Sequence, residues 1–282
     1  YDEATETYVP DYTGNLLYNS TGDGIIRIKS GTYDPETRQL TIGFDSADDA
    51  KKGTRVSVAY TMYEHFGFRA TYSQNVYLED VWFYHTAGMA MGATAVENLY
   101  INRLRITPPE GTGRLMTATA DCMHFYSCTG EVVISGCYIS HSHDDALNIK
   151  GAYAKVSHNL PHEITWDNSR GTLSVSVGDV LDAYETATFR YIGSYTVTAI
   201  DRDRLTYTVA ERIGEDLSGA LICNASTSPS LTVENCFIGN KRNRGLLIQC
   251  REVTVRNNTF QNILHGAIQV HSVADIFAEG IM

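Results

Sequence analysis

Helix-favouring charge is scarce in this chain, and so is proline. Charged residues make up 20% of the 282 residues and prolines number six, so neither a long charged helix nor a Pro-rich disordered tract has the composition it needs. Cysteine is sparse too. The six cysteines, with spacings such as Cys122, Cys128, Cys137, Cys236 and Cys250, form no CxxC pair, which argues against a disulfide scaffold or a zinc knot and for small buried core residues. No apolar run approaches a membrane span, so no membrane insertion is expected. The chain begins at Tyr1 rather than Met, so any export signal would already have been removed and the expectation is a mature or excised fragment. Basic residues are outnumbered 22 to 33, for a formal charge of −11. That balance repels nucleic acid, anionic membranes and polyanionic substrates and suits a neutral ligand.

What is plentiful is glycine (23) and tyrosine (18), turn formers and β-friendly aromatics that read as an all-β protein. The length is sufficient for a buried core without staples.

Five short segments align with one another: Val76–Phe83, Leu99–Ile106, Val132–Ile139, Leu231–Ile238 and Val253–Phe260. Each carries two period-2 apolar pairs separated by a polar bend, with Gly136, Asn235 or Asn257 just before the second pair in three of them, so each reads as strand, tight corner, strand. The starts at 76 and 99, and at 231 and 253, set a repeat of about 22 residues, the size of a solenoid rung. A third short strand closes each rung: Met89–Met91, Met123–Phe125, Leu147–Ile149, Leu246–Ile248 and Ile268–Val270. Three strands per turn and no helix predict a right-handed parallel β-helix, with like positions stacked about 4.8 Å apart.

The long gap between Val132 and Leu231 holds an insertion with its own alternating strands, Thr172–Val177 and Leu205–Val209, predicted to be a small β-barrel-like lobe. The expected division is an N-terminal accessory β lobe over 1–52 that includes a strand Gln39–Phe44, rungs over 53–152, the inserted lobe over 153–228, and further rungs over 229–282.

Register then brings chemistry together. Aligned third strands put Asp121, Asp145 and Arg244 at one position of successive rungs, with Asp144, His143, Asn243 and His265 beside them. Two acids at strand spacing raise each other's proton affinity, and an arginine is expected to hold one ionised, which separates an acid from a base at neutral pH. An aspartate before a strand is commonly a turn residue bonded to its own backbone, and Asp144 alone fits that description. Convergence of three acids with His124, His143, Asn148, Lys150 and Arg244 favours a site instead. The parity of Met123–Phe125 turns His124 outward, where exposure and ligand contact weigh equally. A metal site on Asp121, Asp144 and His143 is an alternative, but no metal-motif spacing supports it and catalysis by carboxylates alone needs none, so neither a metal nor another cofactor is expected. Paired carboxylates, one protonated and one ionised, are what glycoside hydrolysis requires. Direct attack by water needs them roughly 6.5–9.5 Å apart, so either Asp144 or a turned-away Asp121 is expected to supply the wider partner to Asp145.

The stretch Thr119-Ala-Asp-Cys-Met-His-Phe125, then His143-Asp-Asp-Ala-Leu-Asn-Ile-Lys-Gly151 and Arg244-Gly-Leu-Leu-Ile-Gln249 resembles glycoside hydrolase family 110, the α-1,3-galactosidases. Asn75–Met89 and Arg256–Asn262 support the resemblance, which spans about residues 53–282. It implies an inverting, exo-acting, metal-independent enzyme that removes terminal α-linked galactose, as from blood-group-B-type or linear α-1,3-galactosyl ends. The family's acids carry over onto Asp121, Asp144 and Asp145: one of Asp144 and Asp145 as general base, Asp121 or the other as general acid. Arg244, His143 and Asn148 would grip sugar hydroxyls, with His124 and Lys150 on the same face. A periplasmic or secreted bacterial setting follows from that substrate, and family members continue beyond Met282 through further rungs and a cap. The chain is also similar to polygalacturonases, but it lacks their Gly-His-Gly and Arg-Ile-Lys motifs and is net acidic. A lyase would need Arg244 as proton abstractor amid calcium-binding acids. A non-catalytic carbohydrate-binding β-helix would have no use for the acid group.

Overall fold

The computed structural model describes residues 17–18, 26–44, 58–59, 61–167, 173–272 and 279–280. Three parallel sheets wrap into a tube. The first stacks Gln74–Glu79, Glu97–Asn102, Thr129–Ser135, Ser230–Glu234 and Glu252–Arg256. The second stacks Trp82–Phe83, Arg105–Ile106, Tyr138–Ser140, Phe237–Lys241 and Thr259–Ile263. The third stacks Phe66–Thr71, Met89–Thr94, Met123–Tyr126, Leu147–Ala152, Leu246–Ile248 and Ile268–Val270. The parallel β-helix expected from the repeat is thus the fold.

The register follows the sequence alignment closely. Val76, Leu99, Val132, Leu231 and Val253 are mutual neighbours up the first sheet, and Phe83, Ile106, Ile139, Ile238 and Phe260 up the second. Period 2 explains why: alternate side chains point into the tube, so a one-residue slip would turn every apolar residue outward. The inward residues stack like on like, and Ile101, Ile134, Phe125, Ile149 and Ile238 are all essentially fully buried in one continuous core. Between the first and second sheets the chain turns through a left-handed residue in every rung: Asp80, Arg103, Gly136, Asn235 and Asn257 all have φ between +53° and +64°. Glycine and asparagine tolerate that region best, which is why three of the five corners were visible in the sequence. Arg103 takes it while paired to Asp80 and Glu79, each at 2.7 Å.

Two sequence expectations shift. The third strand of the early rung runs Met89–Thr94 and pairs Met91, not Met89, with Met123, because Gly92 and Ala93 rather than Ala90 lie opposite His124 and Phe125. The strand Phe66–Thr71, one rung earlier, was not anticipated.

The insertion is a closed antiparallel barrel of Ala154–Leu160, Glu163–Asp167, Thr206–Val209, Tyr191–Asp201, Val180–Tyr184 and Leu221–Asn224, with its own core around Trp166 and Tyr207, stacked at 3.9 Å. The predicted strand over Thr172–Val177 is not one. Thr172 lies outside the described residues, and Leu173–Ser176 is irregular although Leu173 and Val175 are buried. Alternation there reports two side chains plugging the barrel, whose ladder closes through Val180–Tyr184 against Leu221–Asn224 instead. In the N-terminal part, Gln39–Phe44, Ile26–Asp34, Leu17–Tyr18 and Val58–Ala59 form a small sheet; most of the 1–52 lobe lies outside the described residues. Glu279–Gly280 pairs antiparallel with Gly151 and Ala152.

Candidate functional site

Each third-sheet strand is entered by a turn from the second sheet, and these turns stack as the strands do. Cys122 N–H donates to the Asp145 carbonyl at 2.8 Å, and Ala146 N–H to the Arg244 carbonyl at 3.1 Å. Asp121, Asp145 and Arg244 therefore occupy one position of three successive rungs, as the sequence alignment requires.

Asp121 and Asp145 are 3% and 1% exposed. Asp121 accepts from Asp145 N–H through Oδ1 at 3.0 Å and meets His124 Nδ1 through Oδ2 at 2.6 Å. Asp145 Oδ1 accepts from Arg244 Nε at 2.8 Å and from Arg244 N–H at 3.2 Å. Asp144, half-buried, accepts from the Tyr63 hydroxyl at 2.9 Å, from Asp145 N–H at 3.1 Å and from the Asn243 amide. The own-backbone bond expected of a turn aspartate exists, but it is one of three.

One oxygen from each of the three carboxyl groups lies within 4.8 Å of the other two. Asp121 and Asp144 both accept from Asp145 N–H, at 3.0 and 3.1 Å, which draws them toward it. Such a group is compact enough for a cation, yet Arg244 and the buried Lys241 already place positive charge against it. Lys241 Nζ donates to the Asp144 carbonyl at 2.6 Å and to Ser142 Oγ.

Burial, then the Asp144 charge, pushes the Asp121 carboxyl well above the ordinary range. Burial, then the Asp121 and Asp144 charges, pushes Asp145 up to about 7. Desolvation together with the two neighbouring acids favours the protonated form of Asp145, and Arg244 opposes them. Raised proton affinity at two adjacent buried carboxyl groups is a property that general acid–base catalysis uses.

The other predicted residues divide by position. His124 and Asn148 are register partners on the outer face of the third sheet, so the outward parity of His124 holds. Asn148 is 7% exposed, and its buried Oδ1 has no hydrogen-bond partner among the described residues. Lys150 pairs with Tyr126 two residues further along the same face, half-buried, and its charge reaches Asp121. His143 is 5% exposed, and burial, then the Arg242 charge, lowers its pKa to about 3; it is a neutral imidazole outside the three-acid group. Tyr63, Lys241 and Ser142 had no sequence signal. Tyr63 precedes the first recognisable repeat, and Lys241 sits in Asn240-Lys-Arg-Asn-Arg244, which reads as a solvated basic run.

No protein-family model matches the chain. Among curated proteins it is 27% identical over 279 residues to α-1,3-galactosidase A of Bacteroides fragilis, covering 86% of this chain and 46% of that protein. It is 24% identical to α-1,3-galactosidase B of Bacteroides thetaiotaomicron, over 88% and 43% of the two chains. It is likewise 24% identical to α-1,3-galactosidase A of Akkermansia muciniphila, over 91% and 46%. The chain spans about half the length of the curated relatives it matches. These similarities bear out the resemblance drawn from the motifs: the chain is similar to proteins named α-1,3-galactosidase over most of its length.

Proposed function

We propose that this chain carries the acid–base centre of an exo-acting glycoside hydrolase that releases terminal α-1,3-linked galactose from glycans of the blood-group-B or linear type. The observation that carries the proposal is the compact group of Asp121, Asp144 and Asp145, two of them with raised proton affinity, in a chain similar to α-1,3-galactosidases over most of its length. A protonated carboxyl of the buried pair protonates the glycosidic oxygen as it departs. Asp144, with three donors aimed at its oxygens, is built as the acceptor and takes the proton from the incoming water. The 2.6 Å contact of Asp121 with His124, whose side chain is 20% exposed, gives the cluster a route for exchanging protons with solvent. Arg244, Asn148 and Lys150 line the approach and bind hydroxyls. A neutral galactoside agrees with the −11 charge, and a periplasmic or secreted setting gives access to such glycans.

Two stereochemical outcomes compete. The family resemblance favours inversion. The compactness of the acid group, with one oxygen of each within 4.8 Å of the others, makes retention the competing outcome, since retaining enzymes hold their carboxyl groups about 5–5.5 Å apart. Following the first-formed galactose by NMR separates them: the β anomer means inversion and the α anomer retention. Incubation with α-1,3-, α-1,4- and α-1,6-galactosides and with polygalacturonate tests the substrate. Release of free galactose from the α-1,3 compound alone is the expected result, and cleavage of polygalacturonate only would overturn the proposal.

A further inference from the structure

In most rungs a few residues carry the chain from the second sheet to the third, as between Phe237–Lys241 and Leu246–Ile248. Between Arg105–Ile106 and Met123–Tyr126 the chain makes a far longer excursion, and loops of that length are uncommon unless they serve a function. Residues 107–114 of this loop wall a cavity of about 220 Å³, closed on its other sides by Arg105, Tyr138, His141 and Asn240. The wall is preorganised. Gly111 and Gly113 turn it at φ 69° and 65°, Thr112 Oγ1 donates to the Pro109 carbonyl at 2.7 Å, and Thr107 Oγ1 accepts from Ser140 Oγ at 2.8 Å. Arg105, Glu110 and Arg114 are its charged side chains, and all three are exposed. Arg105 lies 5.3 Å from the Trp82 ring and 5.9 Å from the Tyr138 ring, contacts that hold a guanidinium without neutralising it. Arg103, Arg244, Arg251 and Arg256 each have a carboxylate at 2.7 or 2.8 Å, whereas among the described residues Arg105 and Arg114 have none within ion-pair distance.

We propose that this cavity is a binding subsite for a saccharide unit carrying one negative charge, as a carboxylate or a sulfate ester, anchored by Arg105 and Arg114. Two guanidiniums against the Glu110 carboxylate leave one net positive charge, which a singly charged ligand balances. That makes the cavity locally attractive to an anion in a chain whose formal charge is −11. The planar forks of arginine match the paired oxygens of such groups. The volume is below the roughly 300–1,000 Å³ of sites for drug-sized ligands and above what a lone ion fills, which suits one sugar ring, with Thr107 and Asn240 beside its hydroxyls. The cavity is also near the acid cluster along the chain. His141 stands three residues before Asp144, and Asn240 three before Asn243, whose amide binds Asp144; three residues span at most about 11 Å. A glycan that presents galactose to the acids can therefore seat an acidic unit in the cavity. That placement rests on the galactosidase reading, whereas the binding of the acidic sugar does not.

Binding is tested by following backbone amide shifts of the full chain by NMR during titration with glucuronic acid, galactose 6-sulfate, galactose and inorganic sulfate. The expected result is a saturating shift within residues 107–114 with an acidic sugar, the tighter of the two identifying the charged group. Galactose and inorganic sulfate should bind more weakly by roughly tenfold or more. Arg105→Gln and Arg114→Gln should each weaken the acidic sugar by about tenfold. Glu110→Gln removes the opposing charge and should tighten it. No binding, galactose held as tightly, or inorganic sulfate held as tightly would each overturn the proposal, as would a Glu110→Gln protein that binds no better. The second arm reads KM for an α-1,3-galactoside whose aglycone carries a uronate beside its neutral counterpart. The acidic compound should have the lower KM, and Arg114→Gln should erase the difference without changing turnover of the neutral one. Equal KM values would overturn the placement of both sites on one glycan. Release of galactose from neither compound would instead strike the galactosidase reading and leave the titration to decide the subsite.

Discussion

Asp145 has the most informative side chain in the cluster, because its surroundings oppose one another. Arg244 stabilises its charge, while burial and two neighbouring acids disfavour it, and the outcome is a pKa of about 7. The sign of the stability effect follows. Between the ordinary 3.8 and about 7 the folded chain binds a proton that the unfolded chain has released, so this residue makes stability fall as pH rises through that window. Asp145→Asn, which keeps the side-chain oxygen for Arg244, should therefore gain stability relative to the parent between pH 5 and pH 8, by on the order of 3 kcal/mol. Denaturant titration at the two pH values reads this directly; an equal difference at both would show that Asp145 is not the residue titrating. The same substitution should lower kcat by 10²-fold or more, the usual share of a general acid or base. Tyr63→Phe removes one of the donors to Asp144 from a half-exposed position. A loss of roughly 1 kcal/mol in transition-state stabilisation is expected, seen in kcat/KM with the melting temperature hardly changed.

At the scale of elements, stacked identical turns matter more than any single strand. Asn98 sits in the left-handed region at φ 62°, donates to Asn75 Oδ1 at 3.0 Å and accepts from Glu131 N–H at 3.0 Å, so one side chain ties three rungs. Asn98→Ala loses both bonds and places a residue ill suited to that backbone there; a destabilisation of about 2–3 kcal/mol is expected. Asn98→Gly restores the backbone freedom and should recover part of it, a comparison that thermal melts of the two variants make. In the tube, Phe125 is fully buried between Ala93 and Ile149. Phe125→Ala should cost about 3–5 kcal/mol and, lying within one strand of Asp121, should also reduce turnover.

The whole molecule has two separate apolar cores, one in the β-helix and one in the inserted barrel. The barrel leaves and rejoins the helix through neighbouring strands, since Ala154 pairs with Ile222, and Arg251 ties it down through Asp182 at 2.8 Å. Replacing residues 154–224 by a short glycine-rich turn should leave a folded β-helix with a melting temperature lowered by several degrees. Circular dichroism checks this, and an unfolded product would mean that the two cores fold as one cooperative unit.

The rungs were legible in the sequence because their cause is local and repeated. Period-2 apolar pairs and left-handed corners recur at about 22 residues, and each must agree with its neighbours or expose a row of apolar side chains. The same periodicity placed Asp121, Asp145 and Arg244 in one column and turned His124 outward, because strand register carries side chains with it. It was blind where strands pair without a repeat, as in the barrel, where the apolar alternation of Leu173 and Val175 was a plug rather than a ladder. Burial was also beyond it. Lys241 reads as a solvated basic residue and lies in the interior, and Tyr63 meets Asp144 across 81 residues of chain. Sequence determined which residues share the site, since that depends on register. Only the tertiary structure decided how far apart the acids stand, which cations face them and how little water reaches them, since desolvation and charge act through space rather than along the chain.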